Sequence, residues 1–181
     1  MPPAPRSIAP AAPEDPEELT GLDLAGERRP GLAYADAALT DCNLANVVAR
    51  GGTMRRATVR RCRMTGLLWT EGSLRDVVLS ECRIDLASFG ASTLEQVVFE
   101  DCILRQTDFQ DAELRAVRFV GCDLTGADLS GTRMSRCELR GCTLDELRGA
   151  EGLRGAAMPW PDIVAAAGTF ADALGVRVLD D

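Results

Sequence analysis

From Tyr34 to Leu144 the chain repeats every five residues, and that period fits neither regular element. The series runs Tyr34, Leu39, Leu44, Ala49, Met54, Val59, Met64, Trp69, Leu74 and on through Phe89, Phe99, Phe109 and Phe119 to Leu144. All twenty-three positions are apolar, and only Ala49 is small. Two residues before each stands Cys, Ala, Val, Thr, Gly or Ser, with Leu32 and Leu67 as exceptions. On an α-helix, steps of five scatter side chains around the axis. On a flat strand, odd spacing sends alternate large residues to opposite faces. All of them stay inside only if the chain turns a corner in every unit. Four units then close one square coil, and the same side returns twenty residues later, one rung higher.

The cysteines show the longer beat directly. Cys42, Cys62, Cys82, Cys102, Cys122 and Cys142 are each twenty residues apart, and only Cys137 falls off that ladder. Such a repeat marks a solenoid. Zinc ligands come in pairs two to four residues apart, so the spacing points to an inward column of small core residues. Phe89, Phe99, Phe109 and Phe119 recur every ten residues, on opposite sides of successive rungs, and are read as core rings.

The units Cys-Asp-Leu-Thr-Gly at 122–126, Ala-Asp-Leu-Ser-Gly at 127–131 and Ala-Glu-Leu-Arg-Ala at 112–116 resemble the A(D/N)LXX signature of pentapeptide repeat proteins. The resemblance covers roughly residues 32–146. It implies an all-β solenoid, a right-handed quadrilateral β-helix, here of about five to six coils. It also implies a homodimer through the C-terminal segment. Its loopless members with a helical C-terminal end imply DNA gyrase or another topoisomerase as a candidate partner, through mimicry of duplex DNA.

The expected organisation has three parts. Residues 1–19, rich in Pro, Ala and Glu, read as a disordered tail. Residues 20–148 read as the coil, with a ragged first rung near residue 20 or, alternatively, a start at residue 32. Residues 149–181 read as linker and cap. A helix is expected over 161–174, with Pro161 and Asp162 at its start and Gly175 at its end. Trp160, Ile163, Val164, Ala167, Phe170 and Leu174 are its candidate capping or dimer residues, and Val176–Leu179 a last short strand.

The chain has no Lys and no His; all twenty basic residues are Arg. That removes Ser–His and Cys–His pairs, imidazole metal ligands and Schiff-base lysines. No enzyme, cofactor or metal is expected. No apolar run approaches membrane-spanning length, and no signal-peptide core opens the chain, so a cytoplasmic protein is expected.

The formal charge is −8, but residues 31–148 carry seventeen acids and fifteen Arg, a net of −2. One side, centred on Trp69, Phe89, Phe109 and Leu129, gathers Glu71, Asp108, Asp111 and Asp128 and is the candidate acidic interaction side. A basic rung holds Arg55, Arg56, Arg60 and Arg61 between Arg50 and Arg63. It wraps three sides of one coil instead of striping one face. Pairing with Asp36, Asp76 and Glu81 is therefore the expectation, and direct nucleic-acid binding is not. Two functions stay open: a gyrase-directed DNA mimic, and an interaction scaffold with another partner. DNA mimicry needs a dense carboxylate row spaced like phosphates, and a net of −2 supplies few.

Overall fold

A computed structural model describes residues 10–179. The chain winds a four-sided parallel β-solenoid of about six turns. Call the side holding Tyr34 the first, that of Leu39 the second, that of Leu44 the third and that of Ala49 the fourth. First and second sides form strands: β1 (Glu17–Thr20), β2 (Ala33–Thr40), β3 (Thr53–Arg60), β4 (Ser73–Ser80), β5 (Thr93–Glu100), then β6 (Glu113–Arg115), β7 (Arg118–Val120), β8 (Arg133–Ser135) and β9 (Glu138–Arg140). Each pairs in parallel with the residue twenty positions on, as in Leu39 with Val59 and Phe99 with Phe119. Third and fourth sides are single-bridge ladders with the same step, such as Asn43 to Arg63 and Leu68 to Ser88.

The five-residue series is the core. All of it is buried except Tyr34 and Met134, which are half-buried. Phe89 stacks on Phe109 with centroids 5.4 Å apart, and Phe99 on Phe119 at 5.0 Å. The two stacks meet edge-on across the interior at 6.0 to 6.4 Å. Offset and T-shaped contacts are the arrangements the ring quadrupole favours.

The corners have one cause. Every fifth residue from Gly21 to Glu146 has positive φ, from 46° at Arg56 to 72° at Gly26. Nine of these are Gly; the others include Asp36, Asn46, Leu86 and Gln106. A left-handed residue two places after each large one turns the chain, so the next large residue also points inward. Such residues cost most where β-carbons are bulky. The pull of the common core holds even Leu86 there.

The small positions do more than fit. Where they are Cys, Ser or Thr, their side chains donate to a carbonyl twenty-three residues earlier, in the coil below. Cys42 Sγ donates to Leu19 O at 3.2 Å, Cys82 to Val59 O at 3.4 Å and Cys142 to Phe119 O at 3.4 Å. Ser92 Oγ, Thr107 Oγ1 and Thr132 Oγ1 do the same to Trp69, Ile84 and Phe109. A small residue with one donor suits this place, which accounts for the mixture of Cys, Ser and Thr. All seven cysteines are free thiols. Burial pushes the Cys137 thiol up; a hydrogen bond with Cys122, then burial, does so for Cys142.

The ends depart from expectation. Glu17–Leu19 belong to β1, paired with Ala37–Leu39, because they continue the ladder in register. That part of the expected tail is therefore ordered strand, and the coil starts slightly before residue 20. Residues 1–9 of that tail lie outside the described residues. After Leu144 the register slips: a 3-10 turn (Ala150–Leu153) leads to Ala157, which pairs with Glu138 nineteen residues back. The expected single helix is two, α1 (Trp160–Ala165) and α2 (Ala167–Ala173). The break falls at Ala166, which is buried against the coil end, so tertiary packing and not a helix-breaking residue sets it. Val176–Leu179 form no strand: Val176 N–H donates back to Ala171 O of α2 at 2.8 Å, and no strand among the described residues pairs with the segment.

The cap closes the open coil chemically. Gly121 N–H donates to Arg140 O in the next coil at 2.8 Å. One coil on, where none follows, the Asp162 carboxylate accepts from Gly141 N–H at 2.7 Å. Thr169 Oγ1 donates to Leu144 O at 2.9 Å, as Thr107 does to Ile84. Side chains of the cap thus replace the missing rung and block edge pairing.

Candidate functional site

The outer faces, not the interior, are what a partner meets. The fourth side carries the acidic residues. Its outward column reads Val48, Leu68, Ser88, Asp108, Asp128 and Arg148, each bridged to the next. The acidic stretch is therefore two rungs long and ends in a base. Ser88 Oγ donates to Asp108 Oδ2 at 2.8 Å, and Gln110 N–H to Asp108 Oδ1 at 2.8 Å. Asp128 is only 5% exposed. It accepts from Gln110 Nε2 and Ser130 N–H, both at 2.9 Å, and meets Arg148 at 3.5 Å. Glu71 is tied to Arg50 at 2.7 Å. Asp111 stands exposed at the corner. So the four candidate acids do share a side, but only Asp111 among them is both exposed and without an ion pair or side-chain partner among the described residues.

Burial alone would raise the Asp128 carboxyl. Hydrogen bonds from Ser130 and Gln110 and the charge of Arg148 outweigh it and hold the group below the usual carboxylate range. Because its folded value is depressed, its stabilisation is present above the unfolded value of about 4 and disappears as pH falls through the folded one. Asp128→Asn is expected to cost about 1–3 kcal/mol at neutral pH and to leave a shallower loss of stability on acidification. Urea melts at pH 7 and pH 3 check this; equal losses for both chains at both pH values would refute the assignment.

The basic rung is partly paired with its neighbours. Arg56 pairs with Asp36, Arg61 with Asp41 at 2.9 Å and Arg60 with Glu81 at 3.1 Å. Hydrogen bonds from Arg56 and Arg61 hold Asp36 and Asp41 below the usual range. Asp76 departs from the expected pattern: its ion-pair contact is with Arg75, at 3.9 Å. Arg55 and Arg63 have no ion pair among the described residues. Pairs one rung apart follow from the twenty-residue step, which sets opposite charges in adjacent rungs within reach. Asp41 is not among the expected partners of the rung, although the twenty-residue step sets it directly below Arg61 in one corner column.

The repeat geometry agrees with a match to the family model described as Pentapeptide repeat region, over residues 52–128 and 81–148. Together these span more than half of the chain. The chain belongs to the pentapeptide repeat family. A comparison with curated protein sequences finds no match. Among solved structures it is similar to full-length QnrB1, a plasmid-mediated fluoroquinolone resistance protein, at 14% identity and TM-score 0.40, covering 88% of this chain and 100% of that one. It is also similar to HetL, a pentapeptide repeat protein involved in heterocyst differentiation regulation from the cyanobacterium Nostoc, at 15% identity and TM-score 0.39, covering 80% and 90%.

This pentapeptide repeat protein presents a second kind of surface at its C-terminal end. Of the expected cap residues, Phe170 packs against the core and Ile163 is half-buried. Trp160 is 74% exposed and Leu174 80%, and Val164 and Ala167 are exposed too. The expected single apolar face is split, because the break at Ala166 turns the two short helices differently. An open groove of about 470 Å³ runs between Leu153, Arg154, Phe170 and Leu174, and Val176, Val178 and Leu179 further along the chain are exposed. No cluster of three or more metal-ligating groups occurs among the described residues, and no helix among them is long and apolar enough to cross a membrane.

Proposed function

We propose that this protein is a non-enzymatic interaction scaffold: a rigid rod that binds other proteins and pairs with a second copy through its C-terminal cap. The observation that carries the reading is the exposed apolar group Trp160, Val164, Leu174, Val176, Val178 and Leu179 at the end of a rod whose other large apolar residues are mostly buried. Concentrated apolar exposure of this kind marks an interaction site. The ion-paired sides fit a partner surface of mixed charge.

A narrower reading is engagement of DNA gyrase. The uninterrupted coil and the helical cap support it. The two-rung acidic column, closed by Arg148, opposes it, since a mimic must offer carboxylates along many rungs. The scaffold is therefore the function stated here.

Two measurements test it. Light scattering is expected to give twice the chain mass, and Trp160→Asp with Leu174→Asp to give a folded monomer. A monomeric parent chain would sink the pairing. In a gyrase supercoiling assay, with and without a quinolone, micromolar protein is expected to have no effect; protection or inhibition would install the narrower reading.

A further inference from the structure

The N-terminal segment climbs the outside of the coil. Residue 16 lies on the rung of β1, at the corner between first and second sides. Asp76 occupies the same corner three rungs higher, about 14 Å away at about 4.8 Å per rung. Yet Ala11 N–H donates to Asp76 Oδ1 at 3.4 Å, a long hydrogen bond. Five residues reach at most about 17 Å. The segment therefore climbs that corner, with a bend at Glu14 and Asp15, and the Asp76 side chain reaches out to meet it. Pro10, Pro13 and Pro16 are half-buried, while Ala11, Ala12, Glu14 and Asp15 are exposed. A three-residue period is that of an extended proline-type chain, which places every third residue on one face. Here that face is proline and is turned to the coil. Cover is concentrated at the upper end: the Asp76 side chain is 16% exposed, against 49% for Glu81 at the next corner, while Asp36 and Arg56 lower on the same corner keep 40% and 38%.

We infer that the corner carrying Asp36, Arg56 and Asp76 is a docking track for an extended chain with proline at every third position, and that residues 10–16 of the same molecule are its occupant. The track has features such an occupant needs. Parallel rungs give a regular ridge, and the strap adds no strand, so proline's missing N–H costs nothing. Proline also loses little conformational freedom on docking, because its φ is already fixed. Asp76 supplies an acceptor for an N–H between prolines. In this state the strap laces the first four coils together from outside and closes that corner to other proteins, leaving the third and fourth sides and the cap open. The inference does not depend on which partner the rod binds.

A photo-crosslinking residue at position 12 of the full chain reads the placement directly. Crosslinks are expected within one chain, to residues of β3 and β4. Substituting Pro10→Gly, Pro13→Gly and Pro16→Gly keeps the length and leaves the coil untouched, and should lower that yield on the order of tenfold by removing the packed rings. Asp76→Ala should lower it too. Crosslinks spread over β8 and β9, crosslinks between two chains, or a yield unchanged by the three glycines would each overturn the proposal.

Discussion

Phe109→Ala is expected to lower the melting temperature by about 8–16 °C. The ring lies against Phe89, Phe99 and Phe119, with centroids 5.4, 6.4 and 6.0 Å away, and is fully buried. Truncating a buried Phe costs about 3–5 kcal/mol, and the lost ring pairs place this site toward the upper half. At about 2–4 °C per kcal/mol for a chain of this size, a loss of about 4 kcal/mol gives the stated range. The cost is high because the walls are backbone rungs, held twenty residues apart by hydrogen bonds on both sides, and cannot collapse into the void. Each coil contacts only its neighbours, so the loss is also local. Circular dichroism melts should broaden as the coils around β5 to β7 open before the rest. A shift under about 3 °C would show that the coil relaxes around the gap.

Gly72→Ala is expected to be nearly as damaging, for the opposite reason. A β-carbon there would lie 2.5 Å from Gly52 O and 2.7 Å from Trp69 Nε1. One neighbour is backbone and the other is a ring only 1% exposed, so neither has room to yield. Gly52 makes the other half of the slot, with a β-carbon 2.9 Å from the same ring. Trp69 thus needs glycine at this place on two successive rungs, where the next three carry Ser92, Ala112 and Thr132. Overpacking costs about 1–3 kcal/mol, and the backbone contact places this case at or above the top of that range. Emission of Trp69, read in a Trp160→Phe background, should shift to longer wavelength as water reaches the indole. Gly168→Ala is the control: a β-carbon there meets nothing within 4 Å and removes a helical glycine, so stability should rise by up to about 1 kcal/mol. An unshifted Trp69 spectrum with an unchanged melt would disprove the slot.

The candidate surfaces are only partly legible in the sequence. The twenty-residue step places Glu71, Asp108, Asp111 and Asp128 on one side without any coordinates. It does not say that Asp128 is sunk beneath Gln110 and Arg148, because burial of an outward residue depends on how long neighbours fold over it. The partners of the arginine rung were legible by level and not by rotamer. At the cap, the residues Trp160 to Leu174 were identifiable, but their split into a packed and an exposed set follows from contact with the coil end at Ala166.

Sequence by itself determined the winding of this protein. A large residue every five and a small one two before it admit one arrangement, since an unbroken period cannot satisfy burial on a helix or a flat strand. It also determined which residues share a side and which are one rung apart. Only the tertiary structure decided how the rod ends and what covers it. The strap on the Asp76 corner, Asp162 and Thr169 at the last rung, and the break at Ala166 have no period to betray them. They are single contacts between segments far apart in the chain, set by shape and by unsatisfied edge groups that exist only once the coils are stacked.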